Sequence, residues 1–361
     1  MQKICENKKC YGCGACCTVC PKDAISLKEN ETTGHLRPVI YQGKCVDCGL
    51  CSKHCPANSE YKYKDNTVTY AAYRTDLEKQ NGSSSGGVAA AFYELAIDKN
   101  WAIVGTIMDS NFKARMELSC DKQNIEQFKG SKYVQAYPVD ALNQVKSVLK
   151  EGKNVLFIGT PCECEAARSI AMDNAERLLT VDLICHGVPS PKFFKKYIEY
   201  QNRQTDGRVI YFNFRSKDKR GWGTQYLLKT KTKTKTKTKT KTLSLDRYGK
   251  HFMDGDCYRE SCYQCAYANT SRVGDITVGD FWGIAKSHPG FNSPKGVSSV
   301  FVNTEKGQEL FEKMKPFAET EQATLKEAMV KQHNLVQPSH RPENRSNFYK
   351  EIDEPDFVSN L

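Results

Sequence analysis

The segments Cys10-Tyr-Gly-Cys-Gly-Ala-Cys-Cys-Thr-Val-Cys-Pro21 and Cys45-Val-Asp-Cys-Gly-Leu-Cys-Ser-Lys-His-Cys-Pro56 share one spacing, Cys-x2-Cys-x2-Cys-x3-Cys-Pro. Three closely spaced thiolates wrap one iron–sulfur cube, and the fourth, carried away by the proline turn, reaches the cube of the other half. The spacing therefore predicts one 4Fe-4S cluster on Cys10, Cys13, Cys16 and Cys55, and a second on Cys45, Cys48, Cys51 and Cys20. Zinc modules favour paired Cys-x2-Cys units with longer gaps, a pattern these runs lack. Gly12, Gly14 and Gly49 allow tight turns that aim N–H groups at cluster sulfurs. Between the halves, the alternation Ala24-Ile-Ser-Leu27 and Gly34 predict a hairpin within 24–41, so residues 1–60 read as an α+β ferredoxin-like module. Cys5 and Cys17 stand outside the repeat and read as small packed side chains.

The chain of 361 residues holds 17 cysteines and no secretory leader, which argues against an extracellular disulfide framework and for metal or cluster ligation. Its 39% hydrophobic and 26% charged content predicts a folded core. The longest apolar run, Trp101 to Met108, is too short to span a membrane, so a cytoplasmic protein is expected. The formal charge of +11 falls to +4 without the seven lysines of the alternating Lys-Thr run from Lys229 to Thr242. No nucleic-acid partner is expected, because no aromatic residues interleave with those lysines to stack bases. In a strand the run would place lysines on one face and threonines on the other; it reads as a solvated edge strand or loop, dispensable for chemistry.

Past the polar stretch Asn58 to Asn66, alternating strand and helix signals predict an α/β domain over 67–330. Residues 331–361, with Pro338, Pro342 and Pro355, read as an irregular C-terminal tail. Gly82-Ser-Ser-Ser-Gly-Gly87 precedes an apolar helix pattern, where N–H groups and hydroxyls can receive a phosphate; a plain serine cap is the alternative. The strand patterns Asn154 to Ile158 and Leu178 to Ile184 run into Gly159-Thr-Pro-Cys162 and Cys185-His-Gly187. Open α/β sheets bind ligands at such C-terminal strand ends. With Cys262 and Cys265 of the Cys-x4-Cys-x2-Cys segment, Cys162 and Cys185 make a third four-thiolate set, and Cys257 is a fifth candidate. Buried free thiols are the alternative, adopted for Cys120 and Cys164.

Six ordered motifs follow the module: Gly82 to Gly87, Lys129-Gly-Ser-Lys-Tyr-Val134, Phe157-Ile-Gly-Thr-Pro-Cys162, Asp182-Leu-Ile-Cys-His-Gly-Val-Pro189, Cys262-Tyr-Gln-Cys265 and Gly274-Asp-Ile-Thr-Val-Gly-Asp-Phe-Trp-Gly283. In that order the chain resembles the family of coenzyme F420 hydrogenase/dehydrogenase β subunits, preceded by a two-cluster ferredoxin module. The resemblance implies an FAD in the α/β domain, contacted by Gly82, Ser83, Ser84, Ser85, Gly86, Gly87, Gly130, Ser131 and Lys132. It also implies a 4Fe-4S cluster on Cys162, Cys185, Cys262 and Cys265 beside that flavin. The implied activity is an oxidoreductase passing electrons between a small-molecule hydride donor or acceptor (coenzyme F420-like or NAD(P)H), FAD, the clusters, and ferredoxin or another redox partner protein. His186, Lys132 and Asp280, ionisable residues inside the motifs, are candidates for proton transfer, each with a purely structural hydrogen bond as the alternative. Two other classes suit the same residues: a non-catalytic electron-transfer subunit, and a flavin-free cluster-bearing scaffold or sensor.

Overall fold

The computed structural model describes residues 3–59, 67–205, 207–232, 238–244, 246–354 and 357. Most of the predicted 58–66 linker, the centre of the Lys-Thr run and the last residues of the tail lie outside them.

The duplicated cysteine runs fold alike. Gly14 (φ 80°) and Gly49 (φ 76°) adopt the left-handed conformation and start the short helices Ala15–Thr18 and Leu50–Lys53, which carry Cys16 and Cys51. A residue with a Cβ pays a steric penalty there, so glycine after the second cysteine is what lets each run turn back on itself. Between the halves, β1 (Ile25–Glu29) and β2 (Leu36–Ile40) form the expected antiparallel hairpin.

The larger part holds β3 (Val68–Arg74), β4 (Ala102–Met108), β5 (Ala114–Ser119), β6 (Val155–Gly159), β7 (Leu178–Leu183), β8 (Gly207–Asn213), β9 (Gln225–Thr232), β10 (Thr238–Ser244), β11 (Ile276–Asp280), β12 (Ser298–Val302) and β13 (Ala318–Ala323). Eight of these make one mixed sheet in the order β13-β3-β12-β11-β7-β6-β4-β5. Its centre, β11, β7, β6 and β4, is parallel, and antiparallel strands flank it on both sides. The apolar run of β6 is buried at every position because helices cover both faces of the sheet. Helices Val139–Lys150 and Pro161–Ala171 pack in one core, and Val88–Asp98 and Glu305–Met314 in the other. No helix among the described residues is long and apolar enough to cross a membrane.

The module does not stand apart from this domain. Tyr11, Cys13, Ala15 and Val19 belong to the same apolar cluster as Phe157, Ala167 and Phe193. The Leu36 N–H donates to Gln135 Oε1 at 2.8 Å, and the His54 ring pairs with the Ser169 carbonyl at 3.0 Å. The module packs a small apolar cluster of its own, with Ile4, Ile25, Leu27 and Leu36, to which Val139 of the larger part adds, and docking enlarges that core.

Two expectations change. The Lys-Thr run is not one stripe: it is divided between β9 and the edge strand β10, paired antiparallel with Lys231 opposite Thr238 and Lys229 opposite Thr240. Directly paired residues share a face, so the lysines of β9 and those of β10 lie on opposite faces. Thr230 on the middle strand is buried, whereas Lys239 and Lys241 are exposed. The region from 331 is not an irregular tail either. Helix Arg345–Glu351 buries Phe348 and Tyr349, and the Tyr349 hydroxyl donates to the Cys257 carbonyl at 2.7 Å. Its prolines lie outside that helix, and its aromatic residues supply the apolar surface that anchors it.

Candidate functional site

β6 ends just before Thr160, whose side chain and Glu163 form a reciprocal cap on helix Pro161–Ala171, and Cys162 occupies the first turn of that helix. β7 ends just before Cys185. The long excursion from β7 to β11 carries Cys262 and Cys265 back to the same place on the 3-10 turn Glu260–Gln264 and its edge. Cys162, Cys185, Cys262 and Cys265 all line one cavity of about 430 Å³. Burial pushes the thiols of Cys162, Cys185 and Cys265 up, the last to about 12. Cys257 does not line the cavity; it is fully buried and its thiol faces the His251 carbonyl at 3.4 Å. Cys164 is a core thiol directed at the Gly159 and Val181 carbonyls, and Cys120 is exposed.

A second cavity, in the module, is lined by Cys10, Cys13, Cys16 and Cys55, drawing the fourth thiol from the other half of the repeat. Cys5 lines it too, hydrogen-bonded to Cys10 and Cys55, and its contact lowers the Cys10 thiol to about 6. Sequence reasoning passed over Cys5 because it precedes the repeat, and no spacing signal marks it. Cys17, buried against Cys16, does not line the cavity. The remaining set lies nearer the surface: Cys48 is exposed, Cys45 and Cys20 are half-buried, and Cys51 is buried close to both Cys48 and Cys20. Among the described residues no three His, Cys, Asp or Glu side chains converge closely enough for a single metal ion. Thiols spaced around a cavity suit a cube, which is bound at its corners. Tyr11 lines both cavities.

The glycine-serine loop and the 130–132 loop also meet, through Ser84 and Ser131. Other groups of the first loop are committed to holding it. Ser83 donates to the Lys79 carbonyl at 2.8 Å, Ser85 to that of Val297 at 2.9 Å, and the Gly86 N–H to Ser298 Oγ at 3.0 Å. A Cβ on Gly86 would fall 2.3 Å from the Ala72 carbonyl oxygen, so packing alone demands glycine there. Gly130, by contrast, faces open space. Ser84, Gly130 and Ser131 thus sit where the two loops meet, with open space at Gly130. Burial lowers Lys132 to about 7, and its ammonium caps the Gln127 and Lys129 carbonyls at 2.7 and 2.8 Å.

Asp280 ends β11 as the bidentate partner of Arg215, at 2.9 and 3.0 Å, and accepts from Trp222 Nε1 at 2.7 Å. The guanidinium and these hydrogen bonds hold its carboxyl below the usual range against the opposing effect of burial. Trp222 stacks on Trp282 at 4.5 Å, and Arg215 also donates to the Tyr133 hydroxyl at 2.9 Å. Arg215, Lys217 and Trp222 were not foreseen, since they lie in an excursion without motif spacing. His186 is exposed on the rim of the 430 Å³ cavity, its ring 6.2 Å from that of Phe252.

Residues 9–59 match the model of the 4Fe-4S dicluster domain, and residues 152–328 match that of the C terminus of the coenzyme F420 hydrogenase/dehydrogenase beta subunit. A curated relative, one of the subunits of the F(420)H(2) dehydrogenase of Methanosarcina mazei, is 23% identical over 326 residues, covering 86% of this chain and 83% of that protein. Among solved structures, a chain of the F420-reducing NiFe hydrogenase complex from Methanosarcina barkeri superposes with a TM-score of 0.50 at 18% identity, covering 80% of this chain and 92% of that one. That likeness is one of fold. The glycine-serine and 130–132 loops precede the matched beta-subunit region, whereas the strand-end cysteines and Cys262 and Cys265 lie inside it. With the dicluster domain ahead of that region in one chain, the protein is an iron–sulfur protein similar to the beta subunits of coenzyme F420 hydrogenases and dehydrogenases.

Proposed function

We propose that the chain is a cytoplasmic electron-transfer flavoprotein subunit of an oxidoreductase complex, holding three 4Fe-4S clusters and one FAD. The ligand sets are Cys45, Cys48, Cys51 and Cys20; Cys10, Cys13, Cys16 and Cys55; and Cys162, Cys185, Cys262 and Cys265. When bound, the flavin supplies two-electron chemistry toward a hydride donor of the F420 type, and the clusters supply single-electron chemistry toward a protein partner. The observation that carries this reading is the order of the thiol sets: exposed at Cys48, then mostly buried beside Tyr11, then part-buried at the strand ends with Tyr11 on the shared wall. Such an order suits a path from a protein docked on the surface into the α/β domain. Ser84, Gly130, Ser131 and Lys132 would receive the flavin, and His186 stands on the rim of the strand-end cavity. Lys132, tuned to about 7, can hold or release a proton at its own loop.

The test is anaerobic reconstitution of the full chain with iron, sulfide and FAD, followed by rapid mixing with a reduced deazaflavin or with NADH. About twelve iron, about twelve sulfide and one flavin are expected, with flavin bleaching ahead of the clusters. A flavin-free product with full iron would sink the flavin assignment, and cluster reduction ahead of flavin would sink the proposed point of hydride entry.

A further inference from the structure

Arg259 lies on the wall of the strand-end cavity and is 4% exposed. One terminal nitrogen donates to the Tyr11 carbonyl, next to Cys10, and the other to Cys162 Sγ at 3.6 Å. The Tyr11 ring lies 6.0 Å from the guanidinium, and Nε has no partner. No ion pair with a carboxylate is formed by Arg259 among the described residues. Arg272, also on this cavity, is paired with Asp182 at 3.3 Å. Glu163, the acid nearest in the chain to Cys162, directs Oε2 to the Thr160 N–H and hydroxyl at 2.8 Å each.

A buried charge without a partner costs several kcal/mol. Sulfur contributes most of what surrounds this one: the Cys10, Cys162 and Cys262 thiols all favour a charged guanidinium at this position, and the Glu163 carboxylate, already bonded to Thr160, adds to them. Resting on the cluster assignment above, we propose that Arg259 is the counter-charge shared by the module's inner cluster and the strand-end cluster, the residue that raises the reduction potential of both. Reduction adds one negative charge to a cube, and both a neighbouring cation and an N–H···S hydrogen bond stabilise that added charge. The planar fork reaches the Tyr11 carbonyl and Cys162 at once, whereas a lysine keeps the charge but not both contacts.

The experiment is a redox titration of the reconstituted full chain monitored by paramagnetic resonance, comparing the parent with Arg259→Gln and Arg259→Lys. Fewer than about twelve iron in the parent, with the strand-end set empty, would defeat the cluster assignment itself. With iron complete, Arg259→Gln is expected to shift both reduction equilibria at least tenfold toward the oxidised form, about 59 mV for one electron. Arg259→Lys should recover more than half of that shift. A change under threefold in both clusters overturns the proposal. If the glutamine variant loses iron, the lysine variant decides. Iron restored with potentials within threefold of the parent supports the counter-charge, and iron lost in both variants shows a packing role and overturns it.

Discussion

The hydroxyls of Ser84 and Ser131 meet at 3.1 Å, and the Ser131 N–H donates to Ser84 Oγ at 3.0 Å, joining loops 47 residues apart in the chain. Ser84→Ala removes that acceptor and leaves a half-buried N–H unpaired, at a cost of about 1 kcal/mol. Bound flavin, measured by its fluorescence after release from the protein, should fall roughly tenfold in affinity, equivalent to about 1.4 kcal/mol. Ser83→Ala, which touches only the Lys79 carbonyl, should weaken it far less. Equal losses in the two variants would move the flavin away from this junction.

The strand-end set should be separable from the module. In Cys262→Ser/Cys265→Ser, iron is expected to drop from about twelve to about eight, while the module's signals persist. An unchanged count and spectrum would remove the third cluster.

Cys5 provides a spare thiol. Because it contacts both Cys10 and Cys55, Cys55→Ser is expected to keep most of its iron, and Cys5→Ala/Cys55→Ser to lose one cube. Metal analysis of the two proteins checks this; equal iron in both would show that Cys5 cannot substitute.

The Lys-Thr run, read as dispensable for chemistry, supplies parts of the paired strands β9 and β10. Replacing 229–242 with a short flexible linker removes part of the middle strand and the buried Thr230, and should lower the unfolding midpoint measurably. Lys239→Thr and Lys241→Thr, on the exposed edge, should each stay within about 0.5 kcal/mol of the parent. Denaturant titrations distinguish the two, and a neutral replacement would restore the view of the run as an ornament.

Lys217 is buried, and desolvation, helped by Arg215, lowers it to about 7 while it donates to the Gln80 and Ser85 carbonyls. Between that value and the ordinary lysine value near 10.4, the unfolded chain binds a proton that the folded chain lacks. Stability from this group therefore rises with pH across the window, by up to about 1.4 kcal/mol per unit, and the gain is lost as pH falls through about 7. Lys217→Met should flatten the parent's rise between about pH 7 and 9. Urea midpoints of the two proteins at several pH values check it, and identical slopes would place Lys217 at an ordinary value.

The legible parts of the chain were those with local signals. Val155 to Gly159 and Leu178 to Leu183 form buried strands close to where their apolar runs indicate. The glycines after Cys13 and Cys48 start the two short helices. Periodicity alone misled at Lys229 to Thr242, because alternation sets the two faces of a strand but not where the chain reverses. It also said nothing of helix Arg345–Glu351, whose stability comes from burying Phe348 and Tyr349 against residues far away in the chain.

Cysteine spacing and strand ends pointed to the two module sets and to Cys162, Cys185, Cys262 and Cys265, because a cube needs thiolates at short, repeated separations or where loops converge; the structure gathers Cys10, Cys13, Cys16 and Cys55 around one cavity and the strand-end four around another. Docking of the module onto the α/β domain decided the rest. It brought Arg259 to Tyr11 across 248 residues and within 3.6 Å of Cys162, while the path from β7 to β11 delivered Arg215 to Asp280. No local pattern encodes such pairs. Each depends on where two distant backbones pass, and burial then makes a charge that would be inconsequential in water a strong determinant of its surroundings.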